Sequence, residues 1–210
     1  MSKNLDPKCK RCRRVGEKML LKGDRCVSTK CAMIKKNYPP GFHGPKGKQR
    51  LSDYGTQLRE KQKAKIIYNL LEKQFKLTYF DAKKKGGNVG DNFIQLLESR
   101  LDNAVYRIGF AQSRGQAREL VNHGHFLIND KKVNIPSFQL KQGDIIKIKV
   151  SSQRKKYFKN LKDKNHNLSE IPGWINFEPK EMTAKIVGLP SAIEAGKGLN
   201  TQMIVEFYSR

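Results

Sequence analysis

The 210-residue chain is short of acid. Its 19 Asp and Glu stand against 43 Lys and Arg, a formal net charge of +24 and a pI near 10.0. It has four cysteines, and none beyond position 31. No apolar run approaches the roughly 18 residues that cross a bilayer. The opening Met-Ser-Lys-Asn-Leu-Asp-Pro-Lys has no apolar stretch, which predicts no secretory leader. These absences argue against a membrane span and a secreted, disulfide-stapled scaffold, and point to the reducing cytoplasm. Enzyme signatures are missing too. No Ser–His–Asp order, catalytic Cys or paired-carboxylate site stands out, so no enzyme and no small-molecule substrate are expected.

What is present is positive charge. An excess of +24 repels itself in a folded monomer, and a polyanion relieves that. Nucleic acid is the first candidate and an anionic membrane the second. Residues 1–50 hold 15 Lys and Arg against 3 Asp and Glu, a net of +12, or half the excess in a quarter of the chain. A solvated Lys-rich surface does not explain that concentration. The stretch His43–Gly55 closes it, with Lys46, Lys48 and Arg50 among glycines and a proline. It is not a nucleotide-binding loop: a Walker pattern ending at Gly47-Lys48 needs Gly at 42 and a hydroxyl at 49, and the chain has Phe42 and Gln49.

The cysteines form two pairs, Cys9-x2-Cys12 and Cys26-x4-Cys31, separated by 13 residues that include Gly16 and Gly23. Two such knuckles supply a tetrahedral thiolate set, and neighbouring Lys and Arg favour the ionised sulfurs. Zinc is the expected metal, in a structural role. A four-iron cluster accepts the same ligands. Free thiols and disulfides are the other readings.

Ser52–Phe80 reads as helical, with Leu58, Ile66, Ile67, Leu70, Leu71 and Phe75 at three- and four-residue spacing. Asn92–Ile108 reads as a second helix that stops at Gly109. Ser113, with Gln116 three residues on, reads as a capping box for a helix over Arg114–Asn122, with Gly124 as its exit. A hairpin over Phe126–Ile128 and Lys132–Ile135 and a strand at Ile145–Val150 follow. Residues 151–170 read as helical. Trp174–Phe177, Ala184–Val187 and Met203–Phe207 read as short strands. The unit from Ser99 to Val150 sets Arg100, Asn103 and Arg107 on one helix face. Arg114, Gln116 and Arg118 start the next helix, whose N-terminus favours phosphate. His123 and His125 flank the turn into the hairpin. Such a convex basic surface suits folded RNA better than a DNA groove. Asp102 and Asn103 read equally well as a buried pair tying the helix to its neighbour.

Arg100-Leu-Asp-Asn-Ala-Val-Tyr-Arg-Ile-Gly-Phe-Ala111, Ser113-Arg-Gly-Gln-Ala-Arg118, Val121-Asn-His-Gly-His125 and Asn134-Ile-Pro-Ser-Phe138 closely resemble the small-subunit ribosomal protein S-four family. Pro39-Pro-Gly-Phe-His-Gly44, Leu51-Ser-Asp-Tyr-Gly55, Leu58-Arg-Glu-Lys-Gln62 and Glu206-Phe-Tyr-Ser-Arg210 extend the likeness along the chain, and the cysteines resemble its bacterial metal-binding branch. The resemblance implies an α+β fold. A metal-knuckle segment (1–45) adjoins a helical RNA-binding domain (46–98). An S-four-type module of two helices and a small sheet (99–156) follows, then a C-terminal segment (157–210) returning to the helical domain. It implies a structural protein that binds the 5′ domain of small-subunit ribosomal RNA early, nucleates assembly and influences decoding accuracy. It also implies a place lining the channel through which messenger RNA enters, and contact with the neighbouring small-subunit protein S-five. The expected RNA contacts are Lys46, Lys48, Arg50, Tyr54, Arg59, Lys61, Arg100, Asn103, Arg107, Ser113, Arg114, Gln116, Arg118, Asn122, His123 and His125.

Two positions depart from the family. Asn129-Asp130 replaces the usual Asn-Gly, which keeps the hairpin and leaves its turn type open. Gly115 sits at the second helical position, where it weakens the helix start. Two other functions compete: a free RNA-binding translational repressor, and a pseudouridine synthase suggested by Arg100-Leu101-Asp102. The second needs its Asp in a separate catalytic domain, whereas Asp102 lies inside the module's first helix.

Overall fold

The computed structural model describes residues 6–47, 50–162, 171–179, 181–191 and 198–210. They form two compact units, Met1–Phe93 with Gly196–Arg210, and Ile94–Ala195. The 157–210 segment is therefore divided between the two.

In the first unit, α1 (Lys8–Val15), α2 (Asp24–Val27) and α3 (Ala32–Lys35) surround the cysteines, and a 3-10 turn (Gly44–Lys46) follows. Cys12, Val15 and Met19 form a small core against Leu21, Met33, Ile66 and Ile67, so this basic segment does bury some apolar surface. The helix expected over Ser52–Phe80 is two helices, α4 (Asp53–Ile67) and α5 (Glu72–Lys84). Asn69 causes the break. It adopts φ +54, its N–H reaches Ile66 O, and the next N–H, of the buried Leu70, reaches back to Lys65 O. That is a Schellman closure with Asn in the left-handed place glycine usually takes.

Met203–Phe207, expected as a strand, lies in a helix instead, α11 (Thr201–Ser209). Asn200 Oδ1 caps it by accepting from Met203 N–H at 3.2 Å. Its apolar residues were too few to distinguish a helical period from a strand. The helix packs on α4, and Tyr208 stacks on Tyr79 at 4.7 Å beside Phe75 and Phe93. The Tyr208 hydroxyl and the ammonium groups of Lys61 and Lys65 all donate to Glu72, at 2.9, 2.7 and 2.8 Å.

Partial burial raises the Glu72 pKa, but these three donors outweigh it and hold the carboxyl at about 2, below the ordinary 4.5. A depressed carboxylate pKa stabilises the fold above the ordinary value, and that contribution is lost as pH falls toward about 2. Glu72 is partly open to solvent, so the effect is modest. Thermal melts of the parent should therefore lose stability across this acid range, and Glu72→Gln should flatten that part of the profile. Parallel profiles for the two proteins would show that the cluster contributes nothing.

The helix expected over Asn92–Ile108 is interrupted at Ser99–Arg100, giving α6 (Val89–Glu98), which begins in the first unit and ends in the second, and α7 (Leu101–Arg107) in the second. Arg100 is extended and bridges to Gln139. The first N–H groups of α7, from Leu101 and Asp102, are satisfied by Phe138 O and Pro136 O at 2.9 and 3.1 Å. A long-range backbone partner thus replaced the intrahelical one. α7 ends at Gly109 (φ +90) and α8 (Arg114–Asn122) at Gly124 (φ +67), both through Schellman pairs like that of α4.

β1 (Phe126–Ile128) and β2 (Lys131–Val133) form the hairpin. Asn129 and Asp130 both have positive φ, +48 and +63, which fixes a type I′ turn. Asp130 accepts an ion pair from Lys147 at 2.9 Å, and Asn129 Oδ1 accepts from Ile145 N–H at 3.0 Å. With β3 (Ile145–Ile148), β4 (Ile175–Glu178) and β5 (Thr183–Ile186), they make one antiparallel sheet in the order β2-β1-β3-β5-β4. The later two strands, read as part of a C-terminal unit, thus complete the sheet of the S-four-type module. α9 (Val150–Gln153) and α10 (Lys156–Lys162) carry the helical character expected over 151–170, of which 163–170 lie outside the described residues. A single core joins α7, α8 and the inner sheet face through Leu101, Val105, Phe110, Phe126, Ile146 and Phe177.

Candidate nucleic-acid interface

The α7–α8 surface is organised from beneath by two buried carboxylates. Glu98, whose side chain is 0% exposed, accepts both forks of Arg107, Nε at 2.9 Å and Nη2 at 2.8 Å. It also accepts from Asn103 Nδ2 at 2.7 Å, and Arg114 Nη2 lies 3.7 Å away. Asp102 accepts Arg100 Nε and Nη2 at 3.0 and 2.8 Å, with Arg118 Nη1 at 3.5 Å. Asn103 links the two helices by accepting from Arg114 Nε at 2.7 Å, and the Arg114 guanidinium lies over the Tyr106 ring at 4.6 Å. Asp102 and Asn103 are thus the buried tie that one reading of the sequence anticipated.

Four arginines meet two carboxylates, so the cluster keeps net positive charge. Arg100 is sealed in. Arg107, Arg114 and Arg118 reach the surface; the bidentate pair on Glu98 orients Arg107, the Asn103 bond and the Tyr106 ring orient Arg114, and Arg118 sits in the looser 3.5 Å ion pair with Asp102. Guanidinium forks fixed in this way lose little freedom on meeting a phosphate. Ser113 Oγ caps α8 by accepting from Gln116 N–H at 3.3 Å, as the capping box predicts. The Gln116 side-chain oxygen Oε1, however, accepts from Gln112 N–H at 2.9 Å and not from Ser113.

Five residues expected as RNA contacts are buried. Lys61 is turned onto Glu72, Arg100 onto Asp102 and Asn103 onto Glu98 and Arg114, and Ser113 is a cap. His125 follows the left-handed Gly124, the place in a Schellman closure that folds back on the helix. Its ring packs on Phe158, and Nδ1 pairs with Ser152 Oγ at 2.9 Å. Burial, then the charges of Lys155 and His123, lower its pKa, so it is neutral near pH 7 and offers no charge to a phosphate. His123 is exposed. Asn122 is half-buried, and its Oδ1 has no hydrogen-bond partner among the described residues. Sequence reasoning missed Glu98 as the anchor and Tyr106 as the platform.

In the first unit, Lys46, Arg50 and Tyr54 are exposed and Arg59 is half-buried, while Lys48 lies outside the described residues. Tyr54 borders Phe207 at 5.7 Å, with the Arg210 guanidinium 5.8 Å over its ring.

Cys12, Cys26 and Cys31 are buried and Cys9 is half-buried, all as free thiols. Lys22 N–H donates to Cys26 Sγ at 3.3 Å. Burial raises the Cys12 pKa. A backbone hydrogen bond from Met19 opposes this, and the charges of Cys26, Cys9 and Cys31 add to it. Among the described residues, no group of three or more His, Cys, Asp or Glu is arranged to hold a metal ion. No described helix is long and apolar enough to cross a membrane.

Residues 3–98 match a family model described as "Ribosomal protein S4/S9 N-terminal domain", and residues 99–146 match the "S4 domain". Proteins named "Small ribosomal subunit protein uS4" from Syntrophomonas wolfei and Clostridioides difficile are each 47% identical over 210 residues, covering all of both chains. One from Halothermothrix orenii is 47% identical over 211 residues with the same full coverage. With two domain models meeting at the boundary between α6 and α7 and relatives aligned from end to end, the chain belongs to the small-subunit ribosomal protein S-four family.

Proposed function

We propose that the chain is an architectural, non-enzymatic protein of the cytoplasmic small ribosomal subunit that binds its ribosomal RNA. The observation that carries this is the carboxylate-anchored arginine cluster on α7 and α8, set in a chain of +24. A surface that presents oriented guanidinium forks recognises RNA through backbone and shape. By family likeness we extend this to the 5′ domain of that RNA, bound early to nucleate assembly, and to contact with protein S-five and an influence on accuracy. The exposed Lys46 and Arg50, with Lys48 between them, would face messenger RNA as it enters the subunit.

The four thiols would hold a structural zinc, with an iron–sulfur cluster as the alternative. Three sulfurs are buried, and Cys12 and Cys26 each take a backbone hydrogen bond, which suits thiolate ligands. The metal would cross-link α1, which carries Cys9 and Cys12, to Cys26 in α2 and Cys31 at the N-cap of α3.

Salt titrations test the RNA reading. Binding of a 5′-domain transcript should weaken linearly with log salt, and Arg50→Ala should reduce the slope by about one. An unchanged slope removes Arg50 from the contact set.

A further inference from the structure

Phe42 is 90% exposed, the most exposed of the large apolar side chains among the described residues. The loop that presents it is not slack. Arg13 donates to Tyr38 O at 2.9 Å and to Pro39 O at 3.2 Å, and its guanidinium lies 4.7 Å over the Tyr38 ring. Gly44 N–H closes onto Gly41 O at 3.2 Å, and a Cβ at Gly44 would collide with the Pro39 carbonyl oxygen. Gly41, at φ +111, turns the chain just before the aromatic ring. His43 meets Phe42 edge-on at 5.4 Å. A braced loop thus holds an aromatic ring in water, within the most basic quarter of the chain and close in sequence to the exposed Lys46 and Arg50.

We propose that Phe42 is a stacking platform for an unpaired base of the bound RNA, with the following basic residues on the adjoining phosphates. The inference rests on the RNA-binding reading and sharpens it, because it assigns this loop a base and not only a backbone. The charge selects a polyanion, and among polyanions a nucleic acid has flat π faces that stack on an aromatic ring whatever the sequence.

The test uses the full chain and a 5′-domain ribosomal RNA transcript. Phe42→Ala should weaken binding by roughly five- to a hundredfold, the range of one base–aromatic stack, and leave the salt slope unchanged. Phe42→Tyr should retain the affinity, and Phe42→Leu should not. In Phe42→Trp the new indole should be quenched as RNA binds, well beyond any change in the parent, whose single Trp174 is buried. If the transcript binds but Phe42→Ala has no effect and the indole is silent, the stacking proposal fails and the RNA reading stands. Full affinity in Phe42→Leu would also overturn it, because the RNA contact would then need apolar bulk and not an aromatic face. If the parent does not bind the transcript, both fail.

Discussion

Replacing Glu98 by alanine is expected to lower the stability of the S-four-type unit by about 3–5 kcal/mol, the usual cost of removing one partner from a buried ion pair. Glu98 is the common acceptor for Arg107 and Asn103, and the ion-pair partner of Arg114 at 3.7 Å. Without it, guanidinium groups lacking a counter-charge remain at the α7–α8 junction, where desolvation penalises them. The melting temperature should fall by at least ten degrees or so, given about 4–8 °C per kcal/mol for a domain of this size. RNA affinity measured well below that melt should fall too, because the forks are no longer held. Glu98→Gln keeps the shape and one acceptor but not the charge, and should lie between. A melt within about 1 kcal/mol of the parent would mean that the arginines are oriented by something other than this carboxylate.

Removal of the proposed metal is expected to have the second large effect. α1 has 8 residues, and α2 and α3 have four each. Isolated helices this short are unstable in water. Their own core is Cys12, Val15 and Met19 with a few half-buried neighbours. A cross-link through the four thiolates would supply what that core lacks, and structural zinc in small modules binds with about 10–16 kcal/mol of apparent free energy. The purified protein should contain one zinc per chain, or iron and sulfide if a cluster is present. Chelation or Cys12→Ser should open residues 6–47 to proteases while the S-four-type unit stays folded. A metal-free parent whose circular dichroism and digestion are indifferent to chelator would contradict the assignment.

The sequence made the module's helices legible because their ends carry strong local signals. Ser113 with Gln116, Gly109 and Gly124 all act where the pattern set them. Breaks made by tertiary or unusual local partners were not legible. Asn69 does a glycine's work, and the α6–α7 break depends on carbonyls from Pro136 and Phe138, more than thirty residues away. α11 was misread because a short apolar run serves a helix or a strand equally well. The candidate site was partly legible. Basic residues were identified by charge and spacing, but which ones are buried depends on Glu98, nine residues before Arg107 and across a helix break, a separation no helical period marks. His125 was expected as an RNA contact because the sequence did not show that the residue after Gly124 folds inward.

The central claim is that this protein recognises a particular folded RNA and not merely negative charge. The most direct measurement is competition between the 5′ domain of small-subunit ribosomal RNA and a scrambled RNA of equal length, at roughly physiological salt, where non-specific binding is weak. The ribosomal fragment should win by about a hundredfold or more, a margin that charge alone does not give. Equal binding of the two RNAs would contradict it, and would reduce the +24 to a general affinity for polyanions.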